Sequence, residues 1–544
     1  MEEVRIPKAR LIILCVSLCI GLFLSLLDTS IVATALFTIG EDFHALTSVN
    51  WVALAYTLSY LGCSVLFARI ADIVGRRNAY VAAFVIFFAF SLGCGFAQSL
   101  NQLIACRALQ GIGGAGLYSL TMVILPEISP PQMTKWIGGL AGAVVAMSGV
   151  LGPVLGGVIT HYTSWKWIFW INAPIGIVPM MVFFLAWPNS NQLRPIERRP
   201  LRQLDVVSSS LLILASVLVV FSFQQAGMKA NSWGKAIFLA PLLIGCLCWV
   251  LLFCWEYTVS RRWAETLATM LPFRLLRRRV YIFGAMVTLL MGFPYFMVIY
   301  NLPLRFQVVN GRSALSAGLG LLPMLGATAV ASFIGGFINA KRNNTWQTLF
   351  AGSCFMLLGV ALLTTLSNTT DVQHKTYGFI VLVGFGFGLT VSTYQRSWFV
   401  VTPTQTNWRH LTNPPTAVAQ GITSQARIFG GSIGIAASTA VLGATQRREL
   451  TGIVSPEQLA SLQSAAASFT SAQLEAVRQA YSDAFHGDMK VCAIVTGVCV
   501  LVALGTYQRN PLTLEERAIE QKAEEEERKA NVGVVVEKAS PHQV

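Results

Sequence analysis

The chain repeats one pattern from end to end: an apolar stretch long enough to cross a bilayer as a helix, a short polar interruption, then another apolar stretch. About 20 apolar residues span the hydrocarbon core as a helix. Candidate stretches begin at Leu11, Trp51, Tyr80, Gln102, Trp136, Trp167, Val206, Ala236, Tyr281, Ala317, Trp346, Tyr377, Ala417 and Val491. With 54% hydrophobic and 12% charged residues over 544 positions and a mean hydropathy of +0.60, polar side chains are too few to coat a soluble protein, so lipid must cover much of it. The expected fold is an all-α polytopic membrane protein with fourteen transmembrane helices.

The first apolar run continues past Asp28 to about Ile39 without a small-residue cleavage site, so it reads as a permanent span of a chain mature from Met1. All eleven cysteines fall inside or at the edge of apolar spans, with no ligand spacing around histidines. Neither a disulfide framework nor a metal site is predicted. The net charge of +14 is not gathered on one amphipathic face, which argues against a nucleic-acid partner. The bases instead punctuate alternate loops: Arg5, Lys8 and Arg10; Arg69, Arg76 and Arg77; Arg194, Arg198, Arg199 and Arg202; Arg261 to Arg279; Lys341 and Arg342. The positive-inside rule places these loops and both termini in the cytosol. Asn368-Thr369-Thr370 then lies in an outside loop as a glycosylation sequon, whereas Asn343-Asn344-Thr345 is inside and silent.

A faint internal echo suggests two parallel repeats. The loop from Ala68 to Asn78 has a counterpart in 335–343, Gly111 to Leu117 is answered by Gly384 to Leu389, and the small-residue run near Gly152 by Gly430 to Gly434. The expected division is a cytosolic N-terminus 1–10, a six-helix half 11–190, a pair of linker helices 191–280, a second six-helix half 281–508, and a charged cytosolic tail 509–544. The second half includes an outside segment 446–486, rich in Ala, Ser, Gln and Leu, read as short helices forming a packed cap. The polar stretch 396–415 reads as a long loop between spans twelve and thirteen.

Three motifs carry chemistry. The loop Ala68 to Arg77 sets Asp72 among bases in a tight turn with Gly75, Arg76 and Arg77, a cluster able to latch two helical bundles together. Span four carries Leu103, Arg107, Gln110, Gly111, Gly113 and Gly114. A lone arginine in lipid costs about 2.5–3.5 kcal/mol on insertion scales, so Arg107 must face a cavity or a carboxylate. Asp28 is the acid deep in the first half; at ~1.5 Å per residue it lies roughly 15 Å, and Arg107 roughly 9 Å, in from the outer ends of their spans, so the two can meet in the outer half. Span five carries Gly152, Pro153, Gly156 and Gly157, which permit close helix approach around a proline bend.

These motifs resemble the signatures of the major facilitator superfamily, the third being the one that marks antiporters. Alanine stands at 68, and serine at 148, where the family usually has glycine. Leu27 to Leu36, Trp165 to Pro174, Leu302 to Gln307 and Gln420 to Gly434 are further similar to the fourteen-span drug:proton antiporter branch, chiefly fungal toxin exporters. The resemblance spans roughly 10 to 505. It implies a two-half bundle that exports small molecules against a flow of protons, with Asp28 and Arg107 in proton coupling, no cofactor beyond the proton gradient, and a monomer in the cell membrane. Phe293, Tyr295, Phe296 and Tyr300 are candidate cavity aromatics, and Arg427 is either a second cavity charge or a base snorkelling to the cytosolic face. The nearest alternative is uptake, or vacuolar loading, of a nutrient such as a basic amino acid, in the vacuolar membrane in the latter case. No paired histidines, His-x-x-x-x-Asp or Gly-x-Ser-x-Gly in a plausible setting marks an enzyme.

Overall fold

The computed structural model describes residues 7–46, 48–129, 134–188, 205–228, 234–263, 278–341, 344–401, 415–455 and 469–509. Among them every regular element is a helix. In lipid a helix meets its backbone hydrogen bonds internally, which is why apolar stretches take this form. The first group comprises α1 (Lys8–Asp42), α2 (Asn50–Val74), α3 (Arg76–Gly95), α4 (Leu100–Ile128), α5 (Thr134–Tyr162), α6 (Trp167–Trp170) and α7 (Asn172–Ala186). Next come α8 (Val206–Met228) and α9 (Ala236–Arg262). The last group is α10 (Arg279–Val308), α11 (Ala314–Gly320), α12 (Leu322–Lys341), α13 (Thr345–Leu363), α14 (Lys375–Val401), α15 (Pro415–Leu450) and α16 (Ser471–Leu504). A helix lies over each apolar stretch, and 11 of the described helical segments are long and apolar enough to cross a membrane.

Local chemistry sets several boundaries. Gly75, at φ 99°, makes the turn between α2 and α3 in a region that side chains avoid. The side chains of Ser99, Ser313 and Thr470 cap α4, α11 and α16, the last as a capping box with Gln473. Pro174 and Pro323 sit in the first turns of α7 and α12, where a missing N–H costs nothing, just after a break in each span.

The end holding Lys8 and Arg509 is called proximal, the opposite end distal. In the first group α1 packs on α5 and α7, while α4 packs on α2 and α3; in the last group α10 packs on α15 and α16, while α14 packs on α12 and α13. The helices α8 and α9 form a hairpin, with α8 lying against both α2 and α15.

The segment 446–486 differs from expectation. The helix α15 runs on to Leu450 and α16 begins at Ser471, so most of this segment extends two long helices. Its helical sequence is too polar to read as a span, but Val477, Ala480 and Tyr481 pack with Val309, Leu450 and Val454, and Phe37 and Leu46 of the first group join them at the distal end. Residues 402–414, Asn343 and the tail 510–544 lie outside the described residues.

Candidate functional site

The seam between the two groups is built by α2 and α15, which run antiparallel. Asn50 Nδ2 donates to Thr439 Oγ1 at 2.7 Å, Ser432 Oγ to Thr57 Oγ1 at 3.1 Å, and Gln425 Nε2 to Ser64 Oγ at 2.8 Å. On each helix the rungs are seven residues apart, the spacing that keeps one stripe facing a partner along two supercoiled helices. Sequence reasoning missed this ladder, though polar residues at heptad intervals in two apolar spans were its visible signal.

Beside the seam, Asp28 and Arg107 are fully buried and form the ion pair that their depths allow. Arg107 Nη1 donates to Asp28 Oδ2 and, at 2.8 Å, to Gln110 Oε1; its Nε donates to Val52 O at 3.1 Å. The other carboxylate oxygen, Oδ1, accepts from Gln110 Nε2 at 3.0 Å and Asn172 Nδ2 at 3.2 Å. The guanidinium lies 4.2 Å from the centre of the Tyr56 ring. Donors therefore meet both oxygens, as a buried charge requires. The cluster touches the seam through the next residue: Tyr300 of α10 donates its hydroxyl to Thr29 O at 3.0 Å.

The Gly152 to Gly157 motif of α5 makes a second contact between the two groups. Gly152 and Gly156 face α1, where an added Cβ would come within 2.4 Å of Ser30 or Ile31 atoms; at Gly157 it would come within 2.9 Å of the Ala314 and Leu315 backbone in α11. In return a Cβ at Gly318 would sit 2.3 Å from Pro153 O. This glycine crossing brings the two groups into backbone contact near their distal ends.

The loop cluster is placed differently. Arg76 holds Glu127 at the end of α4 through Nε (3.1 Å) and Nη2 (2.9 Å), and Arg77 donates to Phe184 O at 3.1 Å while lying over the Phe184 ring. These contacts lie within the first group, since Glu127 is on α4 and Phe184 on α7. Glu127 went unremarked in the sequence; the side chain of Asp72 is outside the described residues.

Phe293, Tyr295 and Tyr300 are buried and Phe296 is half-buried, so they face protein. Tyr295 stacks on Phe387 at 3.5 Å, and Phe296 runs parallel to Tyr300. The half-buried Arg427 forms no ion pair among the described residues. Asn368 lies in the loop after α13, its amide donating to Gln479.

Residues 18–435 match the Major Facilitator Superfamily, and the chain belongs to that family. It is 30% identical to the MFS-type transporter FPY5 of Fusarium mangiferae over 92% of this chain and 84% of that one. It is 30% identical to the efflux pump aunC of Aspergillus niger over 78% of each chain. A bacterial homolog of the human lysosomal transporter Spinster, crystallised inward-facing and unoccupied, shares the fold at a TM-score of 0.63 and 13% identity, covering 93% of this chain and 100% of that one. The protein is a membrane transporter of small molecules, not an enzyme.

Proposed function

We propose that the protein is a proton-coupled exporter working by alternating access, with fourteen spans and both termini cytosolic. It would act as a monomer in the cell membrane, drawing on the proton gradient alone. The carrying observation is the place of the Asp28–Arg107 pair: one residue from Thr29, whose carbonyl holds Tyr300 of the opposite half. Movement of the halves pulls on the turn of α1 that presents Asp28. With the pair closed the carboxylate needs no proton; with it open, a proton is the available compensation. That difference between states is what lets a proton gradient bias a conformational equilibrium.

Outward transport fits relatives named as efflux pumps. Apolar or aromatic cargo fits Tyr300, which reaches the first half at Thr29, and the Phe296 ring parallel to it, and Arg427 disfavours a basic amino acid because it would repel one. Asp28→Asn protein, purified into liposomes, is expected to bind a neutral aromatic fluorescent dye yet lose transport of it driven by a pH gradient. Undiminished proton-driven flux would remove Asp28 from the mechanism.

A further inference from the structure

A second carboxylate, Asp488 on α16, is buried in the last group at 2% exposure. Its Oδ2 accepts from Ser438 Oγ of α15 at 2.7 Å and from Asn301 Nδ2 of α10 at 2.9 Å, and Asn301 also donates to Ser438 Oγ at 2.6 Å. This triangle uses both amide hydrogens and the serine hydroxyl. The remaining oxygen, Oδ1, is enclosed and has no hydrogen-bond partner among the described residues.

The helices around Asp488 offer it no counter-charge. On α10, Arg305 lies one turn distal of Asn301, but its guanidinium donates to Ser482 Oγ at 3.0 Å and Ser367 O at 2.9 Å. On α15, Arg447 and Arg448 lie more than two turns distal of Ser438, and α13 carries no Asp, Glu, Lys, Arg or His. On α16 itself the ionisable neighbours are Asp483, His486, Lys490 and Cys492; His486 contacts Leu366 O, and Cys492 lies against Met297 Sδ at 3.0 Å. Asp488 enters no ion pair among the described residues.

We propose that Asp488 is a second proton-carrying site, separate from the Asp28 pair, and that Oδ1 holds the proton in this conformation. An ionised carboxylate buried with one bare oxygen and no cation is far costlier than the neutral acid, which carries no charge and leaves a single hydroxyl donor unmet. A metal cation does not answer the need: Asn301 turns a donor inward, and the cluster presents far fewer than the roughly six oxygens that a hard cation collects. The proton comes from water and returns to it. A small distal cleft lined by Arg305, Leu366 and Ser367, with about 10 Å³ of room and so about one water, lies on the side of Asp488 that Arg305 occupies.

The test is infrared spectroscopy of the purified, full-length protein in detergent at neutral pH, which needs no substrate and does not depend on the Asp28 reading. The wild type is expected to show a protonated-carboxyl C=O band that shifts in D2O, is lost in Asp488→Asn and persists in Asp28→Asn. Asp488→Glu, which keeps the acid should the asparagine variant fold poorly, is expected to move the band rather than remove it. No band in the wild type, or a band lost with Asp28→Asn alone, overturns the assignment. A band deaf to D2O would make Asp488 a sealed structural acid and overturn its carrying role.

Discussion

Each half buries a carboxylate and an arginine within its helices, Asp28 with Arg107 and Asp488 with Arg305, and the two halves treat them in opposite ways. In the first half Asp28 and Arg107 meet, and Gln110 and Asn172 complete the shell. In the second, Asp488 and Arg305 stay apart: the acid is held by Asn301 and Ser438, the base by Ser482 and the Ser367 carbonyl. A shift of about one helical turn between the two groups on α10 is enough to decide this, since four residues carry a side chain about 6 Å along the axis. A closed pair is self-sufficient and fails badly when halved, while an acid and a base held apart lean on neutral hydrogen bonds and fail more gently.

Truncating the two arginines is the strongest way to break that contrast. Arg107→Ala strands Asp28 in a dry site and is expected to cost about 3–5 kcal/mol, read as thermal unfolding of purified protein in detergent, with transport lost. Arg305→Ala orphans no carboxylate and is expected to cost about 1.5–3 kcal/mol, the range for hydrogen bonds to a charged group. Equal losses in the two variants would mean that the halves do not differ as the contacts indicate.

Gly157→Leu acts on the seam between the halves. Overpacking typically costs about 1–3 kcal/mol, but here the added atoms meet the Ala314–Leu315 backbone across the seam. Normal surface expression with export abolished is the expected result, and wild-type efflux would refute the glycine crossing. Smaller still is Glu127→Gln, which weakens the Arg76 contact within the first half. The Glu127 side chain is 30% exposed, so solvent screening limits the expected loss to about 1 kcal/mol or less, and proton coupling should be unchanged. An altered coupling would mean that this cluster reaches across to the second half after all. The smallest effect belongs to Asn368→Gln in the distal loop: in a eukaryotic host it should abolish the glycosidase-sensitive gel shift without altering stability or transport. A shift that survives it would count against placing the distal end outside.

Much of the architecture was legible in the chain itself. Span positions follow from local hydropathy, which needs no tertiary information, and the Asp28–Arg107 meeting follows from counting helical rise from two span ends. Asp488 was not legible. With span fourteen started at Val491, this residue fell in polar sequence at the edge of a loop, and only the packed α16 shows that the polar residues Ser482 and Asp488 point inward.

The sequence by itself determined the helices, their order, the family and the depth of the first buried charges, because bilayer thickness and helical rise convert residue numbers directly into position. The tertiary structure decided which charges pair, that Arg76 meets Glu127 within its own half, and that α2 and α15 meet rung by rung. Those outcomes depend on the rotation and offset of helices far apart in the chain, and a turn or less in either separates an ion pair from an acid and a base that do not meet.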